Sequence, residues 1–320
     1  MPLPEDPSVL QTATNLVSTL KSIFSTPPGF RPAHAKGVLL TGSFIPSTSA
    51  GTLSSAKHFN YPSTPVTVRF SNSTGIPQIP DTDSNADPRG CAIRFHLGND
   101  DQGKRVHTDI ICHSTPFFPT KTGEEFLEFL QSLTKSGPEV EHPTPVEQFL
   151  AAHPKALAFV QAPKPAPLSF ATEAYFGVNA FKLIAADGRE TFVRYRVVPV
   201  QGVQTLDQVE LAKKSSDYLY EDIVERVQGS PVVFKIFAQV AEEGDVTDDA
   251  TEHWPEERHL EELGEVTLDK VVPRGESEGE QKVVIFDPIP RINGVEPSND
   301  PLLDTRAAVY LISGRERRSA

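Results

Sequence analysis

Tyr310 and Arg306 lie four residues apart, a spacing that puts both side chains on one face of a helix. A guanidinium stays charged at any working pH, so Arg306 could hold the Tyr310 phenol as an anion despite a reference pKa near 10. His34, in the segment RPAHAKG, carries the side-chain type whose ordinary pKa of about 6.5 lets it both take and return a proton near neutrality. Singly, these residues have plainer readings. His34 in a proline-containing segment fits a surface loop, and Tyr310 between Val309 and Leu311 fits a core. Arg31 and Arg69 read as solvated charges, Phe118 and Phe126 as ordinary core, and Ser71 alone carries no signal.

The elements that must position these groups are legible in the periodicity. Residues 8–24 carry Val9, Leu10, Leu16, Val17, Leu20, Ile23 and Phe24 at mostly helical spacing, and Pro27-Pro28-Gly29 stops them. Short β-type runs follow, VLLTGSFI, TPVTVRF and CAIRFHL, separated by Ser, Asn, Asp and Pro. Thr122 followed by Glu125 makes a capping box for a helix with the stripe Phe126, Phe129, Leu130 and Leu133, ended by Gly137-Pro138. AFKLIAADGRETFVRYRVV reads as a hairpin turning at Asp187-Gly188. Residues 205–227 look helical, PVVFKIFAQV, GEVTLDKVV and QKVVIF look like strands, and residues 301–317 return to helical spacing. Strands that neither alternate with helices nor repeat predict an α+β fold, an antiparallel β-barrel core with flanking helices. No linker divides the runs, so residues 1–320 are read as a single domain.

Composition excludes more than it identifies. The chain has 320 residues, 38% of them hydrophobic, enough for a sizeable core. With 43 acidic against 30 basic residues the net charge is -13, which argues against nucleic acid or an anionic membrane as partner. No apolar run reaches membrane-span length, and the start MPLPEDPSVL lacks a signal peptide's pattern. A cytoplasmic protein is expected, and the RRSA ending is not a peroxisomal S-K-L. Cys91 and Cys112 are not arranged for a disulfide framework or a cysteine-built zinc site. The stretch DVTDDATEHWPE resembles a calcium loop, but Ala250 stands where the sharp turn needs Gly. No H-E-x-x-H, P-loop, dinucleotide or G-x-S-x-G motif occurs.

Four extended segments resemble the haem catalase superfamily, and they occur in that family's order. RPAHAKG is similar to the segment carrying the distal histidine, here His34. TPVTVRFSNSTG and DTDSNADPRGCAIRFHL resemble the V-R-F-S and D-P-R-G stretches, with Arg69 and Ser71 at matching places. HTDIICHSTPFF is similar to the segment holding the distal asparagine and pocket phenylalanines. FDPIPRINGVEPSNDPLLDTRAAVY resembles the run that ends in the proximal tyrosine, here Tyr310. The short chain is more similar to the small catalase-related peroxidases than to ordinary catalases. The segments without a counterpart correspond to a long N-terminal arm and a C-terminal helical domain, which puts tetramer threading and a bound nicotinamide nucleotide in doubt.

The resemblance implies haem b, with Tyr310 as axial iron ligand, Arg306 supporting it, His34 as distal base and Ser71 orienting the imidazole. It also implies Arg31, Arg69 and Arg317 as partners of the haem propionates and Phe118 and Phe126 as neighbours of the ring. The implied activity is reduction of hydrogen peroxide or organic hydroperoxides with oxidation of a small organic donor, with weak catalase activity. A homodimer is one assembly left open. The clearest departure is His113, which stands where the family places the peroxide-orienting asparagine; a slip of one would put Ser114 there. An imidazole is bulkier than an amide and can protonate near neutrality, which makes fast disproportionation of hydrogen peroxide doubtful. Ala33, being small, could widen the space and admit organic peroxides. Two other readings stay open: a biosynthetic haem oxidase or hydroperoxide isomerase, and a non-catalytic haem-binding protein in which His113 blocks the iron.

Overall fold

The runs that alternate apolar and polar side chains pair with antiparallel neighbours in a computed structural model that describes residues 2–320. In chain order, α1 (Pro7–Phe24) precedes β1 (Gly37–Pro46), the single-turn helices α2 (Ala50–Leu53) and α3 (Lys57–Asn60), β2 (Thr64–Ser71), β3 (Gly90–Asn99) and β4 (Arg105–His113). Next come α4 (Gly123–Thr134), α5 (Pro145–Ala152), α6 (Pro154–Gln161), β5 (Tyr175–Phe176), β6 (Phe181–Ile184), β7 (Glu190–Pro199), α7 (Gln208–Leu211) and α8 (Tyr218–Gly229). β8 (Val232–Val240), β9 (Leu260–Val271), α9 (Arg274–Val283), β10 (Val295–Pro297) and α10 (Leu302–Ser319) follow.

Eight strands run in the order β7-β5-β4-β3-β2-β1-β9-β8, and β8 pairs back onto β7 to close a barrel. Closure removes the exposed edges that an open sheet would present. Val38, Leu40, Val66, Val68, Phe70, Cys91, Ile93, Phe95, Ile110 and Cys112 fill its interior. Each such buried aliphatic or aromatic side chain contributes roughly 1.5–3 kcal/mol. Successive residues of a strand face opposite ways, so Arg69, Ser71, Gly90 and His113 lie on the outer face of the same wall.

That outer face is covered by helices. α1 opens on Asp6, whose carboxylate accepts the Ser8 N–H at 2.8 Å, and ends at Ser25 in the left-handed region. Its Leu16 and Leu20 pack with Leu130 of α4, joined by Phe126 and by Val309 of α10. The cap of α4 is Thr122, as its sequence predicts.

Two sequence expectations change. Residues 205–227 form α7 and α8 with a turn between them rather than one helix. QKVVIF is not a strand: Gln281–Val283 are the last turn of α9 and an extended segment follows. The β-branched pair Val283-Val284 suggests β structure locally, but tertiary bonds made by the last carbonyls of α9 override it. Among the described residues, no helix is long and apolar enough to cross a membrane.

Candidate functional site

One row of the sheet organises the site. Gly37 pairs with Ser71, Ser71 with Gly90, Gly90 with His113, and His113 with Phe176. Residues directly opposite each other put their side chains on the same face, so the missing side chain of Gly90 leaves a slot between Ser71 and His113. The His34 imidazole occupies it. A Cβ on Gly90 would lie 2.5 Å from Ser71 Oγ and 2.9 Å from His34 Nδ1. Gly90→Ala is therefore expected to displace the imidazole and lower peroxide turnover by about 100-fold, the cost of a displacement near 1 Å. Steady-state assays alongside a thermal melt check this; unchanged turnover would show that the ring does not sit there.

His34 itself is held in the left-handed region at φ 55, which costs an L-residue about 1–2 kcal/mol. Its backbone N–H donates to Ser73 O, and the Ala35 N–H donates to Thr74 O at 2.9 Å. Behind it, Lys36 donates to Asp81 Oδ1 at 2.7 Å, as does Asn72 Nδ2, and buried Arg89 donates to Asn72 Oδ1 at 2.5 Å. The segment is thus fixed from several sides. His34 Nδ1 lies 3.1 Å from Ser71 Oγ, and the ring's contact with the Asn72 backbone favours its charged form. With the Ser71 hydroxyl accepting, Nδ1 carries the proton and Nε2 keeps its lone pair. Burial, then Arg69, lowers the imidazole to about 4.

The expectation that His113 protonates near neutrality does not hold. Burial, then His34, Arg306 and Lys164, push it down to about 3, so it is neutral at working pH. Its Nδ1 accepts the Thr115 N–H at 3.1 Å. Ser114, the alternative at this place, is tied to Arg89: its Oγ accepts the Arg89 N–H at 2.9 Å and its own N–H donates to Arg89 O at 2.9 Å.

On α10, Arg306 Nη2 donates to Tyr310 Oη at 3.4 Å, as the four-residue spacing implies. Arg306 also donates to Asn179 Oδ1, and Asn179 Nδ2 donates to Asp300 Oδ2 at 2.8 Å. The phenol is close enough to Arg31 and Arg69 to favour their charged forms. Phe118 and Phe126 stand 5.1 Å apart between ring centroids, and Phe118 is 6.5 Å from His113.

Arg31, Arg69 and Arg317 converge as well. Burial, together with Arg69 and Arg317, holds the Arg31 guanidinium well below its ordinary value; burial and Arg317 lower Arg69 to about 9. Burial, then Arg318, brings Arg317 to about 10. Among the described residues no carboxylate lies within ion-pair distance of any of the three. Several of their bonds go to the end of α9, which presents carbonyls at its negative pole, while Arg69 Nη2 also donates to His34 O at 2.8 Å and Ala35 O at 3.2 Å, and Arg317 Nη1 to Ser313 Oγ at 2.7 Å. Arg31 donates to Gln281 O at 2.8 Å and Val284 O at 3.1 Å, and Arg317 donates to Val284 O at 2.8 Å. Arg69 Nε donates to Gln281 Oε1 at 2.7 Å. A Cβ on Gly37 would meet Arg69 Nη2 at 2.5 Å.

The matches to known proteins agree with this arrangement. The family described as Catalase matches residues 20–320. The chain belongs to the catalase family. It is 32% identical to a catalase-related peroxidase of Synechococcus elongatus over 96% of this chain and 88% of that one. A catalase-related peroxidase of Mycolicibacterium paratuberculosis is also 32% identical, over 96% and 95%. Catalase A from Saccharomyces cerevisiae superposes with a TM-score of 0.78 at 22% identity, covering 95% of this chain and 64% of that catalase. A fungal catalase gives a TM-score of 0.78 at 22% identity, covering 96% and 63%. The chain thus spans under two thirds of the length of those solved catalases.

Catalase-family proteins bind haem, and the residues here fit it. Three guanidiniums without an acid partner suit two propionate carboxylates, which accept bidentate bonds. Gly37 and Gly90 keep the wall free of side chains at the two places where Arg69 and His34 seat. His34, His113, Tyr310, Phe118 and Phe126 all retain some accessible surface, although the two imidazoles are desolvated. The sequence motifs find His34, Ser71, Arg31, Arg69, Arg306, Tyr310 and Arg317; they miss Gln281, Asn179 and Gly90. Only Gly90 had a visible signal, its place in D-P-R-G.

Arg31→Gln separates haem binding from folding. Haem affinity should fall about 10- to 100-fold with one charged donor lost, while the haem-free protein melts no lower than wild type, because mutual repulsion is relieved. Haem titration and thermal melts read the two quantities, and parallel losses in both would contradict the assignment.

Proposed function

We propose that this chain is a haem peroxidase of the catalase-related type, using haem b and reducing hydrogen peroxide or organic hydroperoxides while a small organic donor is oxidised. One observation supports it above the others: a neutral imidazole, a phenol bonded by a guanidinium, and three guanidiniums lacking acids lie within electrostatic reach of one another. The haem, when bound, supplies the iron chemistry that splits the peroxide O–O bond. Arg31, Arg69 and Arg317 would hold the propionates, Phe118 and Phe126 would neighbour the ring, and Tyr310 would supply an oxygen to the iron. Arg306 donates a hydrogen bond to that oxygen and is itself positioned by Asn179. His34 Nε2 takes a proton from the peroxide and returns it to the departing oxygen, while Ser71 Oγ accepts from Nδ1. Ala33 beside His34 leaves room for an alkyl substituent. Residues 1–320 act as one haem-binding unit.

Steady-state oxidation of a phenolic donor, with hydrogen peroxide and an organic hydroperoxide compared as oxidants, tests this. Donor oxidation with both is expected, with little dioxygen released; full catalase turnover without donor oxidation would overturn it.

The pH profile follows from His34. Its folded pKa of about 4 lies below the ordinary 6.5, so the base form persists as the medium is acidified through 6.5 and is lost only as pH falls through 4. The acid limb of peroxide consumption that disappears in a His34 variant should therefore centre near 4. A limb near 6.5 would mean that the ring is solvated.

A further inference from the structure

His113 stands where the family's amide would be, yet its surroundings determine its role without reference to that residue. It is the last residue of β4, across from Gly90, whose other neighbour is Ser71. The His34 ring lies over Gly90, so the two imidazoles are neighbours in one row. His113 Nδ1 accepts the Thr115 backbone N–H at 3.1 Å. A backbone N–H can only donate, so Nδ1 presents its lone pair and the ring proton is on Nε2. That Nε2 is buried and has no hydrogen-bond partner. A buried donor without an acceptor costs of the order of a lost hydrogen bond, and such a group at a functional site calls for an acceptor from outside the chain. With Ser71 Oγ accepting from His34 Nδ1, the tautomers of the two rings are opposite: His34 offers a lone pair from Nε2, and His113 offers N–H from Nε2.

We propose that His113 is a neutral hydrogen-bond donor to the oxygen ligand held between it and His34, so that the site pairs one imidazole acceptor with one imidazole donor. This rests on the haem-peroxidase reading above. The pKa pushed down to about 3 by burial keeps His113 from becoming a second base or a cation beside His34. The same tautomer denies Nε2 the lone pair it would need to bind iron, so His113 does not close the site as a ligand. Ser114, engaged with Arg89 through both its hydroxyl and its backbone, does not compete for the role.

Fluoride tests the donor directly, because it binds ferric haem as an anion that only accepts hydrogen bonds. In the haem-loaded protein, His113→Leu should weaken fluoride binding about 10- to 100-fold, the scale of one bond to a charged acceptor. His113→Asn, which restores a non-titrating N–H, should stay within a few-fold of wild type. Nitrogen NMR of the unsubstituted full chain, labelled with 15N-histidine and read before haem is added, should show Nε2 protonated and Nδ1 bare. Fluoride affinity unaffected by His113→Leu would overturn the inference, as would a proton on Nδ1, or a low-spin ferric spectrum in wild type that becomes high-spin in His113→Leu. If wild type takes up no haem, the proposed function fails and this inference with it; normal haem uptake with unchanged fluoride affinity in His113→Leu sinks this inference alone.

Discussion

His34→Ala is expected to lower kcat/KM for peroxide by about 10²- to 10⁴-fold, the usual contribution of a positioned proton acceptor. The effect should be large because no other group near the slot can substitute. His113 is neutral but carries its proton on the facing nitrogen, and Ser71 is a hydroxyl bound against the same ring. Haem content should be close to wild type, since none of the propionate partners is changed. Folding should not suffer much either: alanine at position 34 meets the same left-handed backbone that the histidine already occupies. A loss of turnover with haem retained places the defect in proton transfer. Retained turnover would move the proton acceptor elsewhere.

Tyr310→Phe should reduce peroxidase turnover by more than about 100-fold. Losing a group that merely supports a metal ligand costs about 10- to 100-fold, and this substitution removes the oxygen proposed as the ligand itself. Arg306 would then keep only Asn179 as partner within the site. Haem uptake should survive, because Arg31, Arg69 and Arg317 are untouched and remain braced by Gln281 and Val284. Arg306→Leu should fall between wild type and Tyr310→Phe, within the 10- to 100-fold range of a supporting group. Pyridine-haemochrome measurement of haem content beside donor-oxidation kinetics separates binding from turnover. Equal turnover in Tyr310→Phe and wild type would exclude the phenol from the reaction.

What was legible in the sequence follows the range over which each interaction acts. Tyr310 is marked by the resemblance of its segment; the placing of Arg306 beside it is legible because helical spacing is local, and α10 realises it. The strands around Arg69 and Ser71 were visible for the same reason, their alternation marking which side chains leave the barrel interior. The slot for His34 was not, because it depends on a row through Ser71, Gly90 and His113 that three separate strands assemble. The protonation of His113 was misjudged because a backbone N–H two residues away and the burial of its ring, neither readable from residue type, fix its tautomer and lower its pKa. Gln281 was missed for a different reason. Its neighbours Val283 and Val284 favour extended structure, and only the guanidiniums taking carbonyls of α9 show why a helix ends there.

The central claim is that the Tyr310 oxygen binds the iron of a haem seated between the barrel wall and α10. The most direct measurement is the absorption spectrum of the haem-reconstituted protein, recorded for wild type and for Tyr310→Phe. A high-spin ferric spectrum of the tyrosinate type in wild type, absent from the variant with haem still bound, is the predicted result. Identical spectra from the two proteins, or a wild-type chain that takes up no haem, would contradict it.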